Sequence, residues 1–360
     1  MEKLKLYTWE HLDALRKRKD PLADAAVATL IKNPSLAEEI NTWTQIPDAF
    51  PKNYPQPLVE YLSFFNVAKE FANPEILKVG QQFFNKEGDI YLGLLGFYSL
   101  PYCYAFGDGA EVLVRSKRIV NEIGSRLGET GLFVLDLFKP GGFISDSSPY
   151  LTCAKVRLIH AFSRYFILNF SNDWSDEFGA PINQEDMLGT NLAFSMIVLR
   201  GMTKMGTAID SETYNTILEY WKWIGYLLGV DLKFWPSNAK EAFELDRLIR
   251  KRHLKPTLAG KALITALAAF YKENIPDPLI RDQVDLLLGF FLGKEAGEAL
   301  GLPSSTKLPG SLVELMFKLS GWRNYGSKKN YSLIRKMMEL QHQEQFGKQF
   351  EIQIPVINRS

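Results

Sequence analysis

One histidine lies in a sequence setting where its imidazole could bind a metal. His160 occupies the middle of a strongly apolar segment, residues 158–162. His11, His253 and His342 have polar sequence neighbours, which predicts exposed positions for them. A neutral imidazole is the commonest metal ligand in proteins. The alternative for His160 is a core histidine whose ring nitrogens bind other protein groups.

Two arginines flank this histidine. Arg157, His160 and Arg164 are spaced i, i+3 and i+7, which predicts that they share one stripe of a helix. Two buried guanidinium groups need anionic partners, because burying an unpaired charge is costly. A haem would supply two propionates for the arginines, an iron for the imidazole and a flat apolar body for aromatic side chains. Internal Asp or Glu side chains are the alternative, and the spacing does not decide between them.

A second polar group lies upstream. Arg126, Glu129 and Thr130 place a guanidinium, a carboxylate and a hydroxyl on adjacent turns before the apolar run 131–138. Such groups can move protons or bind a ligand by hydrogen bonds. The alternative is an ordinary helix end with a break at Gly128.

The elements that must position these residues are helices. Asn183 and Asp210 are candidate N-caps, and Pro236 is predicted to open a further helix. The tail, residues 350–357, alternates like a strand, but Pro355 limits it to a sheet edge or an extended strap. Apolar residues at three- and four-residue intervals predict helices over 58–71, 111–126, 151–170, 184–205, 211–230, 239–251, 258–272 and 311–319. The sequence therefore predicts an all-α fold.

We expect one compact unit with three parts: an N-terminal helical extension over 1–85, a core over 86–330, and a C-terminal helix with an extended tail over 331–360. The 360 residues include 24 Phe and 15 Tyr, enough to line a large apolar cavity. The formal net charge of +1 gives no field that would attract nucleic acid.

Other features of the sequence concern its location. The most apolar stretch, residues 90–106, contains Pro101 and falls short of the ~20 apolar residues of a membrane span. The N-terminus has no signal-peptide pattern. Cys103 and Cys153 show neither zinc nor disulfide spacing, and we expect small core residues there. Together these features predict a cytoplasmic protein with no transmembrane segment.

Arg126, Thr130, Arg157, His160 and Arg164 together resemble the functional pattern of the latex-clearing protein, or rubber oxygenase, family. That family includes membrane-bound fungal oxygenases that cleave a farnesyl chain in mycophenolic acid biosynthesis. The resemblance continues through residues 182–186, 190–195 and 220–229, and it covers about 90–235. It implies a globin-like helical core around one haem b, with additional flanking helices. The sequence has no CxxCH motif for covalent haem attachment.

The resemblance also implies roles for the site residues. His160 would ligate the iron, with its other ring nitrogen donating to a carbonyl or carboxylate. The flanking Arg157 and Arg164 would bind propionates or orient neighbouring groups. Arg126 and Thr130 would hold dioxygen by hydrogen bonds on the distal side.

Glu129 is a departure from the family pattern. It stands where the rubber oxygenases have a lysine that can occupy the sixth iron position, and it would act as a base or gate. Glu111 is a weaker candidate acid, since a solvated helix residue would look the same.

The sequence thus predicts a haem-b-dependent oxygenase. Its substrate would be a lipophilic, unsaturated small molecule, and its reaction with dioxygen would include oxidative cleavage of a carbon–carbon double bond. Two alternatives stay open at this point. One is a haem-binding sensor or carrier without catalysis, and the other is a helical interaction protein without a cofactor.

Overall fold

The computed structural model describes residues 2–115, 122–275, 278–303, 330–347 and 350–357. These residues form an all-α fold and contain no β-strand, which confirms the predicted fold class. The helices are α1 (Trp9–Arg16), α2 (Pro21–Lys32), α3 (Pro34–Thr42), α4 (Gln56–Ala68), α5 (Pro74–Leu94), α6 (Leu100–Tyr104), α7 (Gly107–Arg115), α8 (Ile123–Leu137), α9 (Ser148–Phe170), α10 (Gln184–Leu192), α11 (Val198–Lys204), α12 (Ser211–Leu227), α13 (Ala239–His253), α14 (Leu258–Asn274), α15 (Pro278–Arg281), α16 (Val284–Leu300) and α17 (Tyr331–Phe346).

The predicted helix starts are largely confirmed. The Asn183 side chain accepts the N–H of Asp186 at 2.9 Å at the start of α10, and Asp210 accepts the N–H of Thr213 at 2.7 Å at the start of α12. Helix α13 begins at Ala239 with Asn238 as its cap, slightly later than expected. The predicted helix over 311–319 lies outside the described residues.

The prediction of one helix over 111–126 is wrong. Helix α7 ends at Arg115, and α8 begins at Ile123 after Glu122, whose φ of −130° and ψ of 40° are not helical. Apolar spacing stays in phase across the two helices, so periodicity could not reveal the interruption. As a result, Arg126 shares α8 with Glu129 and Thr130, and Gly128 lies inside that helix rather than at a break.

Helix α9, which carries His160, packs against α2, α8 and α12. Buried apolar side chains form one core that runs from Leu12 in α1 to Ile354 in the tail. The predicted boundary at 85/86 falls inside α5, so extension and core share a helix. The division into three parts stays a prediction.

Two π-helical segments interrupt long helices next to the core. Leu95–Ser99 follows α5, and Ala193–Ile197 follows α10. They contact one another, and the Ser99 hydroxyl donates to the carbonyl of Ala193 at 2.7 Å. π-helical turns often occur at functional sites, and Phe194 in the second segment faces the cavity described below.

The tail forms an extended segment, here named the C-terminal strap (residues 350–357). The Asn41 side chain accepts the N–H of Ile354 and donates to its carbonyl, both at 2.9 Å. Ile354 itself is buried in the core. The strap is therefore held across the molecule by α3, as an extended strap and not as a strand of a sheet.

Within the described ranges, every helix is too short or too polar to cross a lipid bilayer.

Candidate active site

A cavity of about 670 Å³ lies between α8 and α9. Parts of α6, α10, α13 and the C-terminal strap complete its walls, which are mainly apolar. Its volume falls within the ~300–1,000 Å³ typical of small-molecule pockets. The cavity brings together residues from both polar groups predicted from the sequence.

His160 faces this cavity from α9. The cavity-facing stripe of the helix is Val156, Ile159, His160 and Ser163, at helical spacing. Burial, with a smaller contribution from the charge of Arg164, lowers the pKa of His160 to about 4. The imidazole is therefore neutral at physiological pH, which is the form that binds metals.

The second ring nitrogen of His160 lacks the hydrogen-bond partner that was expected for it. Nδ1 is buried and has no hydrogen-bond partner among the described residues. The sequence predicted a carbonyl or carboxylate there. A buried nitrogen without a partner is uncommon in a native protein, so no hydrogen bond from a described residue fixes the direction of this ring through Nδ1.

The arginines on α9 do not line the cavity. Arg157 binds Asp20 through two bonds, Nε to Oδ2 at 2.6 Å and Nη2 to Oδ1 at 2.9 Å. Arg164 Nε binds Asp24 Oδ1 at 2.7 Å. Burial alone would lower the pKa of Arg157, but the hydrogen bonds to Asp20 more than offset this and raise it.

The prediction that Arg157 and Arg164 share one stripe of α9 with His160 and face the same group is therefore wrong. Arg157 and Arg164 lie on the face of α9 that meets α2, and only His160 points into the cavity. The anionic partners in the structure are internal carboxylates, the alternative that the spacing left open. The sequence offered one signal for these partners, since Asp20 at the N-cap of α2 and Asp24 four residues later lie on one side of that helix, but this spacing does not say which helix they meet.

Gly229 makes room for one of these ion pairs. Its φ is +86°, a conformation that glycine adopts without strain. A Cβ atom there would lie 2.6 Å from Asp20 Oδ2 and 2.8 Å from Arg157 Nε. Gly229 thus both follows the end of α12 and allows the chain to pass over the buried pair.

The three candidate residues of α8 do line the cavity. Arg126 Nη1 donates to Glu129 Oε2 at 2.7 Å, and the Thr130 hydroxyl donates to the carbonyl of Arg126 at 2.8 Å. Thr130 therefore uses its only proton within the helix and offers a ligand its lone pairs. Arg126 has further N–H donors besides the one used on Glu129.

Glu111 pairs with Arg115 one turn further along α7 and is not among the cavity-lining residues. This ion pair between neighbouring turns of α7 accounts for Glu111 without a catalytic role. It stays a weaker candidate than the residues of α8.

A buried charged cluster forms one end of the cavity, and the sequence did not predict it. His253 lies 3.3 Å from Asp108 through Nδ1 and 3.0 Å from Glu185 through Nε2. Burial would lower the pKa of His253, but hydrogen bonds to Asp108 and Glu185 raise it. Arg16 joins the same cluster at 3.4 Å from Glu185. His253 and Glu185 also line the cavity.

The predicted exposure of two histidines was thus wrong. His253 is buried because Asp108 and Glu185 face it from α7 and α10. His342 is buried because Phe350 of the C-terminal strap packs on its ring, with centroids 4.4 Å apart. Polar sequence neighbours gave no sign of these contacts from distant segments.

Ile182 adds a strained point to the cavity wall. Its φ of +51° is rare for a β-branched residue. Its carbonyl accepts a hydrogen bond from Arg164 Nη1 at 3.4 Å. Strain of about 1–3 kcal/mol per such residue tends to concentrate at functional sites.

The donor set determines which iron-containing group could fit. Across the described residues, no cluster of three or more His, Cys, Asp or Glu could hold a bare metal ion. One imidazole is, however, the usual protein contribution to a haem iron. The unpartnered His160 ring and the apolar cavity therefore fit a haem and do not fit a bare metal.

A family model identifies the class of protein to which this all-helical fold and its cavity belong. Residues 104–322 match the family model described as "ER-bound oxygenase mpaB/B'/Rubber oxygenase, catalytic domain". The match spans more than half of the chain, and the chain belongs to this family, which confirms the resemblance inferred from sequence. No curated protein matches the chain.

A latex clearing protein solved in the closed state has a similar structure. The TM-score is 0.66 and the sequence identity 22%, and the match covers 94% of each chain. At this identity the similarity shows the fold alone.

Proposed function

We propose that the protein is a haem-b-dependent oxygenase of lipophilic, unsaturated small molecules, with His160 as the proximal iron ligand. The observation that carries the proposal is the cavity itself. It places a neutral, unpartnered imidazole on α9 across from Arg126, Glu129 and Thr130 on α8. A haem bound there would supply the oxygen chemistry, as cofactors do in oxygenases.

The chain's own groups prepare this site. The apolar walls exclude water and accept a lipophilic substrate. Arg126 offers N–H donors to an anionic or polar ligand group, and Glu129, bound to Arg126, offers a carboxylate within the cavity. With Arg157 and Arg164 engaged by Asp20 and Asp24, their role is to orient α9, the second of the two roles that the resemblance implied.

The proposed reaction is balanced without a reductant. One dioxygen added across a cleaved carbon–carbon double bond gives two carbonyl groups, with both oxygen atoms in the products. What favours the oxygenase over a haem-binding sensor or carrier is the family, whose model is described as an oxygenase catalytic domain. We therefore favour the oxygenase.

The test is the visible spectrum of the purified protein after addition of haem. Wild type is expected to show a Soret band, and His160→Ala to lose it or bind haem far more weakly. His11→Ala is the matched control, since His11 lies outside the cavity lining. Equal haem binding by wild type and His160→Ala would refute the ligand assignment.

A second assay tests catalysis. Haem-loaded protein is incubated with ¹⁸O₂ and farnesol, with a saturated alcohol of equal length as control. Labelled carbonyl products from farnesol alone are expected. Haem binding with no oxygenated product from any unsaturated lipid tested would favour the sensor or carrier.

A further inference from the structure

We propose that Asp20 and Asp24 of α2 are positioning residues for His160, acting through Arg157 and Arg164. This inference deepens the proposed function and rests on it for the identity of the bound group. Helix α2 lies before residues 104–322, which match the catalytic-domain family model. The N-terminal extension would thus contribute to the geometry of a site whose lining it does not form.

No described residue fixes the direction of the His160 imidazole by a hydrogen bond to Nδ1. Its Nδ1 is unpartnered among the residues described, whereas a ligating histidine is usually oriented by a bond from that second nitrogen. The direction of the ring must then come from the placement of α9. Contacts that fix the rotation of α9 about its axis and its position along that axis therefore also fix the direction of the imidazole.

The two ion pairs attach α9 at points on either side of His160. Arg157 and Arg164 are seven residues apart, about 10 Å along the helix axis. The bidentate pair with Asp20 fixes the direction of the Arg157 guanidinium as well as its distance. Any rotation or sliding of α9 against α2 would break at least one of the pairs.

Because these ion pairs are largely buried, breaking either one would leave a charge without its partner inside the protein. The side chains of Arg157 and Asp20 are 6% and 9% exposed; in the second pair Arg164 is 3% exposed and Asp24 is half-buried at 28%. A buried ion pair adds little net stability compared with apolar packing, and its best-attested role is to specify one arrangement. Apolar residues of α2, including Ala23 and Val27, already provide the packing.

Arg164 extends this attachment to the cavity wall. Besides binding Asp24, it donates to the carbonyl of Ile182, which lines the cavity in a strained conformation. One arginine therefore ties together α2, the helix of His160 and the segment before α10. Loss of Asp24 would loosen all three.

The first experiment uses the protein without haem. Histidine is labelled with ¹³C and ¹⁵N, and the ring signals of His160 are assigned by comparison with His160→Ala. Asp20→Asn and Asp24→Asn keep the shape of each side chain and remove the charge. Both are expected to shift or broaden the His160 signals. Asp285→Asn, which breaks an interhelix pair with Lys272 at 2.6 Å, is the control and should leave them unchanged.

The second experiment reads the ligand bond after haem is added. The iron–histidine stretching band is expected to move or broaden in Asp20→Asn, with haem affinity falling on the order of tenfold. Asp24→Asn, which loses a single bond and not a bidentate pair, is expected to show a smaller change. The double variant Asp24→Arg with Arg164→Asp restores a pair and should return the band toward wild type.

The outcomes are distinguishable. Unchanged His160 signals and an unchanged band, with only the melting temperature lowered as in Asp285→Asn, would overturn the positioning role. Shifted His160 signals in the two aspartate variants, together with a wild type that binds no haem, would support positioning and refute the haem proposal. If Asp20→Asn fails to fold, the milder Asp24→Asn variant decides.

Discussion

Asn41→Ala is expected to release the C-terminal strap from α3. The substitution removes both hydrogen bonds to Ile354, each 2.9 Å long. A typical hydrogen bond contributes about 0.5–1.5 kcal/mol net, so the two together hold the strap by about 1–3 kcal/mol. At 1.4 kcal/mol per factor of ten, the opening equilibrium should rise by roughly 5- to 150-fold.

Amide hydrogen exchange at Ile354 measures this opening directly, because its N–H donates to Asn41 Oδ1. Exchange at Ile354 should accelerate by roughly 5- to 150-fold, while amides in the centre of α9 keep their wild-type exchange rates. Asn41→Asp is the matched variant, since it keeps an acceptor for the N–H but loses the donor to the carbonyl. It is expected to show an intermediate rate.

An opened strap should also expose the cavity, because residues 350–353 and Pro355 line it. An apolar fluorescent dye is therefore expected to bind faster to Asn41→Ala than to wild type. Ile354 exchange as slow in Asn41→Ala as in wild type would refute the reasoning. Packing of Phe350 and Ile354, and not the Asn41 bonds, would then hold the strap.

Substitutions at three further positions have defined outcomes. Gly128→Ala places a Cβ atom 2.5 Å from the Phe350 ring, so overpacking should cost about 1–3 kcal/mol in unfolding experiments, whereas an unchanged stability would mean that the strap yields freely. Glu129→Gln should remove the ion pair with Arg126 at little cost in stability but alter the pH dependence of the haem spectrum. Glu129→Lys should shift that spectrum toward a six-coordinate, low-spin form. Identical spectra in wild type and both variants would remove Glu129 from the site. Burial would raise the pKa of Asp108, but hydrogen bonds from His253 and Lys255 lower it from 3.8 to about 2. The ionised carboxylate therefore contributes about 2 kcal/mol to folding stability above pH 4, and this is lost as the pH falls toward 2. Asp108→Asn should lose less stability over that range, and an acid transition like that of wild type would contradict the assignment.

The fold class and four residues of the cavity could be predicted from the sequence. Periodicity gave the helices, and residue types identified His160, Arg126, Glu129 and Thr130, all of which line one cavity. These are local features, and spacing along one helix determines them. The family resemblance rested on the same residues and was confirmed by the family model.

What could not be predicted depends on contacts between distant segments. Spacing placed Arg157 and Arg164 near His160, but only the approach of α2 decides which face of α9 is buried against Asp20 and Asp24. The burial of His253 likewise depends on Glu185 from another helix. A helix has several faces, and sequence alone does not say which neighbour covers each one.

The position of the C-terminal strap has a consequence for the order of assembly. In the chain it follows all the other described segments that line the cavity, which lie between α6 and α13. A ribosome therefore completes those walls first, and a nascent chain folded as far as α17 holds a cavity with one side still uncovered. A group that bound through that side before release would be enclosed when Ile354 reaches Asn41. In the finished protein, exchange of a bound group by the same route would be limited by how often the strap detaches.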